Sequence, residues 1–258
     1  MVLTGRVHKI IMNEKSKKVA IITGSAGDIG RDIVAKLGDA GFVTIGLDCV
    51  ASIDVIPTFV TDLNLFISSP NTQNEFMEFA QPYCEQADEI TLINNAAVQI
   101  TGNMMRLSTD ELTQSFNVNA IAPFLLCQLL VNNYEKKLRT IINISSIHSR
   151  LTKENFGAYA MSKASLSALT RSLSLEIGHN TRVCEIQPAA IDTEMLRAGL
   201  NDTSSLSKLK NCHPSGKIGQ VDDVSSMILT ILKTPSIFLN GLIVNLDGGI
   251  SNRLYDPE

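Results

Sequence analysis

The sequence predicts an α/β protein, a single doubly wound domain on a parallel sheet of seven strands. Three observations predict it. Short apolar runs alternate with amphipathic helical stretches from Lys18 to Asn245. The runs are continuously apolar rather than alternating, as strands covered on both faces must be. A glycine-bearing turn follows the first run directly, where such sheets open onto a ligand.

Residues 1–17 are polar and basic apart from Ile10-Ile11-Met12, and read as an N-terminal arm or an extra edge strand before the domain at 18–258. Val19-Ala20-Ile21-Ile22 is the first strand, and Ile29, Ile33, Leu37 and Ala40 share one face of the first helix. Gly41 stops that helix. Strands follow at 42–47 and 58–61, closing on Asp48 and Asp62. A helix at 73–83 leads to a fourth strand at 90–93. The stretch 107–137 reads as a long helix bent near Pro123, and 140–144 as the fifth strand. The next helix carries Tyr159, Lys163, Leu166, Leu169, Leu173 and Ile177. A sixth strand at 183–186 ends at Pro188. The segment 195–214, rich in Ser, Lys and Asn, reads as a mobile loop or lid. A helix at 221–233 and a strand at 242–245 complete the pattern.

Composition narrows the function. Hydrophobic residues make up 44% of the 258, enough for a large core, and the net charge is −4. That charge leaves no electrostatic footprint for nucleic acid or an anionic membrane surface. No run reaches the ~18 apolar residues of a membrane span, and Arg6, His8 and Lys9 interrupt any leader-like core. The five cysteines are scattered without metal-ligand spacing, so no metal is expected and a reducing cytoplasm is.

Two stretches carry chemistry. In the turn 23–30, glycines let the backbone approach a pyrophosphate resting on the free N–H groups of the first helix. Asp48 ends the second strand, where an acid accepts from the adenine ribose hydroxyls. A carboxylate there repels a 2′-phosphate, so NAD is expected over NADP. Tyr159 and Lys163 stand four apart and so share a helix face. An ammonium beside a phenol favours phenolate and lowers its pKa from about 10, which suits a general acid or base. Ser146 lies at the carboxyl end of the fifth strand, where open sheets bind ligands.

Together these motifs resemble the short-chain dehydrogenase/reductase family over roughly residues 18–250. The matching stretches are Thr23 to Gly30, Asn94-Asn95-Ala96-Ala97, Asn117-Val118-Asn119-Ala120, Ser146, Tyr159 with Lys163, Pro188 to Thr193, and Asp247-Gly248-Gly249. The resemblance implies a Rossmann domain, hydride transfer with a nicotinamide dinucleotide, and a tetrad of Asn119, Ser146, Tyr159 and Lys163. Tyr159 would exchange the proton and Ser146 would bind the substrate oxygen. Lys163 would lower the Tyr159 pKa and hold the ribose, and Asn119 would anchor a relay water. By the same resemblance the cofactor is held by Gly24, Ser25, Asp28, Ile29, Asp48, Asp62, Leu63, Asn95, Ala96, Tyr159, Lys163, Pro188, Ile191 and Thr193.

Four departures stand out. Asp28 replaces a turn glycine, where it can tolerate left-handed angles and serve as an N-cap but sets a carboxylate near pyrophosphate. Ala97 and Ala189 replace glycines of the cofactor wall. The segment 49–57 is too short for a helix with turns, so the helix after the second strand is expected to be missing. Substrate-facing candidates are His148, Arg150 and Phe156, which suit a polar hydroxylated, sugar-like or carboxylated small molecule. The apolar excess of 107–137 and 158–179 matches the family's paired helices and implies a homodimer or homotetramer. Two other readings share the fold: a non-catalytic dinucleotide sensor or scaffold, and a nucleotide-sugar epimerase or dehydratase.

Overall fold

The computed structural model describes residues 18–51, 56–200 and 203–254. The arm predicted at 1–17 lies outside them. The seven strands are β1 (Lys18–Thr23), β2 (Val43–Asp48), β3 (Thr58–Val60), β4 (Glu89–Asn94), β5 (Leu138–Ile144), β6 (Arg182–Pro188) and β7 (Ile243–Leu246). All pair in parallel, in the order β3-β2-β1-β4-β5-β6-β7. The order reverses between β1 and β4, and the cleft of a doubly wound sheet opens there, at the carboxyl ends.

Successive strand residues point to opposite faces, and β1 shows the consequence. Val19 and Ile21 join a core with Phe66, Phe76, Leu126 and Leu130, while Ala20 and Ile22 join one with Ile33, Leu37, Val224 and Ile228. The first layer is built by α2 (Leu63–Ser68), α3 (Pro70–Cys84), α5 (Ala122–Tyr134) and α6 (Gly157–Glu176); the second by α1 (Asp28–Asp39) and α9 (Val221–Lys233). Continuous apolar strands are therefore covered on both sides, as expected.

Three segments differ from expectation. The helical run over Thr109–Tyr134 is long and apolar enough by composition to span a membrane, yet Ala122, Leu126, Cys127 and Leu130 are buried against the sheet. It consists of α4 (Thr109–Phe116), a π-helical turn (Asn117–Ile121) and α5, so its irregularity falls just before Pro123. Proline has no N–H for the helical ladder, and a π-turn locally resets the pattern. The predicted lid loop is instead largely helical, with α7 (Glu194–Ala198) and α8 (Thr203–Cys212). Thr193 caps α7 by accepting from the Leu196 N–H at 3.2 Å. The six-residue α2 was not foreseen, and its N-cap is Asp62, which accepts from the Asn64 N–H at 2.7 Å. Between β2 and β3 the described residues contain no helix.

Candidate active site

Ser146 lies two residues beyond the end of β5. It caps a 3-10 turn at Ile147–Ser149, its Oγ accepting from the His148 N–H at 3.2 Å and lying 3.5 Å from the Pro188 carbonyl. One turn apart on α6, Tyr159 and Lys163 both face this point and are buried. The Lys163 ammonium donates to the Ile144 carbonyl at 2.8 Å and sits 5.7 Å from the centre of the Tyr159 ring.

The electrostatics correct the expectation drawn from spacing. Burial pushes the Tyr159 phenol up to about 12, and the Ser146 hydroxyl only partly offsets this. Burial likewise pulls Lys163 down to about 8, against the opposing pull of Glu185. A shared helix face fixes direction but not solvation. Here desolvation of the phenolate is the largest influence on Tyr159.

Asn119 lies fully buried in the π-turn. Its amide accepts from the Val98 N–H and donates to the Val98 carbonyl and to Ser162 Oγ, each at 2.9 Å. The side chain thus clamps the loop after β4 to α6.

The phosphate-type turn is fastened to its surroundings. Gly24, at φ +65°, donates to the Leu47 carbonyl at 2.9 Å, and Asn95 Nδ2 donates to the Thr23 and Gly24 carbonyls at 3.1 Å. Gly30 packs so closely on this turn that a Cβ would lie 1.9 Å from the Gly24 oxygen. Asp28 is neither left-handed nor the N-cap. Gly27 occupies the cap with ordinary extended angles, and Asp28 is the first helical residue. Its carboxylate accepts from Arg31 at 2.9 Å and from the Glu194 N–H at 2.6 Å, tying the turn to α7. Asp48 accepts from the N–H groups of Ala26 at 2.8 Å and Val50 at 3.2 Å.

One cleft of about 1370 Å³ joins these parts. Gly24, Asp28, Ile29, Asp48, Asp62, Leu63, Asn95, Ala96, Pro188, Ile191 and Thr193 line it, as do Ser146, Tyr159 and Lys163. Ser25 does not: its hydroxyl is buried against Gly46 without a partner. His148 and Phe156 also line the cleft, their rings stacked at 4.7 Å and 11°. Burial, with Lys153 nearby, holds the imidazole down to about 4, so it is neutral at ordinary pH. Arg150 is exposed and lies outside the cleft lining. Sequence reasoning missed Ile250 and Arg253, which reach the cleft from beyond β7. Arg253 donates to the Asn211 and Cys212 carbonyls at 3.3 Å and fastens the end of α8, a closure that no local motif encodes.

The glycine turn, the open N-terminus of α1 and the acid at the end of β2 fit a dinucleotide, while the Ser146–Tyr159–Lys163 group fits a carbonyl or hydroxyl. A family model described as enoyl-(acyl carrier protein) reductase matches residues 65–251, most of the chain. The chain belongs to the short-chain dehydrogenase/reductase family.

Among relatives of this short-chain dehydrogenase/reductase, carbonyl reductase [NADPH] 2 of Sus scrofa is 32% identical over 61% of the chain and 66% of the relative, just under two thirds of its length. L-xylulose reductase of Mesocricetus auratus is 28% identical over 89% of the chain and 95% of the relative. The ligand-free aldohexose dehydrogenase of Thermoplasma acidophilum superimposes with a TM-score of 0.84, at 24% identity over 94% of the chain and 98% of that structure.

Proposed function

We propose that this chain is an NAD(H)-dependent oxidoreductase interconverting a secondary alcohol and a ketone on a small hydroxylated, sugar-like substrate. The observation that carries the reading is the convergence of Ser146, Tyr159 and Lys163 on one point of a cleft whose far end holds Asp48. A nicotinamide dinucleotide, when bound, supplies the hydride chemistry. Gly24, Ile29, Asn95, Pro188, Ile191 and Thr193 would hold it along the cleft. Asp48 would accept from ribose hydroxyls and repel a 2′-phosphate, which favours NAD.

The chain's own groups then divide the work on the substrate. Ser146 Oγ donates to the substrate oxygen and steadies the charge that develops on it. Tyr159 Oη delivers the proton to that oxygen in reduction and takes it back in oxidation. With its phenol held high, Tyr159 rests as the acid form, the state that ketone reduction needs. Lys163 places positive charge beneath the ring. The stacked His148–Phe156 pair walls the substrate side with one apolar ring and one neutral imidazole, suited to a hydroxylated molecule. The relatives named L-xylulose reductase and D-erythrulose reductase support a ketose.

The same reading includes self-association. Phe124, Met161 and Leu175 are exposed on α5 and α6, and pairing these helices between copies would cover them. Light scattering that finds only a 28.0 kDa species would end that part.

Titration with NADH and NADPH, followed by a screen of ketoses and hydroxy acids, tests the function. Preferential NADH binding and ketose turnover are expected. Tyr159→Phe should lose about 10²–10⁴ in turnover while keeping cofactor affinity. Preference for NADPH would overturn the cofactor assignment, and full activity of Tyr159→Phe would overturn the mechanism.

A further inference from the structure

Beneath the catalytic trio lies a carboxylate for which the reaction has no direct use. Glu185 sits mid-strand in β6 with none of its surface exposed, in register with Asn143 of β5 and Ile243 of β7. Cys184 and Ile186 belong to the core under α1 and α9, so Glu185 points to the other face, under α6. There its Oε1 accepts from Ser167 Oγ and, at 2.7 Å, from Gln187 Nε2. Its Oε2 is buried with no hydrogen-bond partner.

A buried carboxylate with one oxygen unsatisfied is costly unless an opposite charge compensates it. Among the described residues no Lys, Arg or His approaches it within salt-bridge distance. Lys163 has the complementary problem. The residue is 2% exposed, and the acceptor its ammonium reaches is a neutral carbonyl. The two residues are also joined through hydrogen bonds. Ser167 Oγ lies 3.3 Å from Ser145 Oγ, which donates to the Lys163 carbonyl at 3.3 Å.

We propose that Glu185 is the buried counter-charge of Lys163, a positioning residue that keeps the ammonium protonated beneath Tyr159. Interior Coulomb interactions are weakly screened, so the pairing acts without direct contact. Glu185 opposes the fall that burial imposes on Lys163. Of the titratable groups at the catalytic end of the cleft, Tyr159 on α6 is held neutral well above pH 7 and His148 on the 3-10 turn is neutral above about 4, while Lys153 lies over the Phe156 ring. Arg182 and Cys184 stand on the opposite face of β6, where Arg182 donates to the carbonyls of Ile231 and Thr234. Neither stands between Glu185 and Lys163. For catalysis the pairing rests on the proposed role of Lys163, but the charge coupling itself does not.

The test therefore uses no substrate. Lysine side chains labelled with ¹⁵N are titrated by NMR in the full-length protein, and Lys163→Arg assigns the signal. Wild-type Lys163 should titrate near 8. Glu185→Gln keeps the shape and removes the charge, so the Lys163 titration should fall by about one pH unit or more, roughly tenfold in proton affinity. Glu185→Leu serves the same purpose if the Gln variant does not fold. Ser167→Ala breaks the hydrogen-bond chain but keeps the charge, and should move Lys163 by less than about half a unit. An unchanged Lys163 in Glu185→Gln, or an equal fall in Ser167→Ala, would overturn the proposal. So would a wild-type Lys163 already neutral at pH 7, which needs no Glu185 variant to observe.

Discussion

Replacing Gly30 by alanine puts a methyl group where the turn has no space. The new Cβ would lie 1.9 Å from the Gly24 oxygen and 2.8 Å from the Gly24 carbon and Ser25 Cα, all backbone atoms. The turn would have to retreat by about 1.5 Å to reach ordinary contact. It cannot do so freely, because Gly24 donates to Leu47 and accepts from Asn95 Nδ2. Overpacking costs about 1–3 kcal/mol and each strained hydrogen bond about 1 kcal/mol. The better helix propensity of alanine returns about 1 kcal/mol. The net loss is about 2–4 kcal/mol, or roughly 4–8 °C in Tm for a chain of this size. Dinucleotide affinity should fall with it by at least ~10-fold, since the turn that moves is the one that receives the phosphates. Gly27→Ala is the control. Its Cβ would meet only the Gly24 oxygen at 3.6 Å, so a loss under about 1 kcal/mol is expected, from poorer capping. Circular-dichroism melts and NADH titration read both variants. A Gly30→Ala protein that melts within 1–2 °C of wild type and binds NADH normally would refute the reasoning.

Asp28→Asn retains an acceptor for the Glu194 N–H but removes a charge from the phosphate end of the cleft. NADH affinity, read by calorimetry, should rise several-fold; a fall would show that the carboxylate aids binding. His148 is held well below its ordinary pKa, so its burial contributes stability that is complete above about 6.5 and is lost as pH falls through about 4. In His148→Gln the drop in Tm between pH 6.5 and 4 should be smaller than in wild type. Asp48→Ser removes the acid that disfavours a 2′-phosphate, so the ratio of NADPH to NADH affinity should increase; an unchanged ratio would place the discrimination elsewhere.

The strands were legible because each is an apolar run, and the sheet order follows from the doubly wound class they define. The lid was not. In α8 only Leu206 and Leu209 are aliphatic, and its Ser, Lys and Asn residues carry no helical stripe. The π-turn at Asn117–Ile121 leaves only Pro123 as a trace in the sequence. Site positions were largely legible as motifs, since cleft-lining residues cluster at strand ends. Their environment was not: nothing in Val183-Cys184-Glu185-Ile186 says which way the carboxylate points, and Tyr-x-x-x-Lys does not reveal that the phenol is dry. Ser25 and Arg150 matched by position alone, and the fold turns both away from the cleft.

The strand order has a consequence for how the chain is made. β1 precedes the other six strands in the chain but lies inside the sheet, and its second neighbour, β4, ends only at Asn94. While a ribosome is still adding residues 61–88, β1 can pair with β2 on one side and presents bare N–H and C=O groups on the other. Its sequence there, Val19 to Ile22, is wholly apolar and uncharged, the kind of open edge that recruits other strands. A nascent or truncated chain ending near Asp62 would therefore be the aggregation-prone form of this protein, and one extending past Asn94 would close its own most dangerous edge.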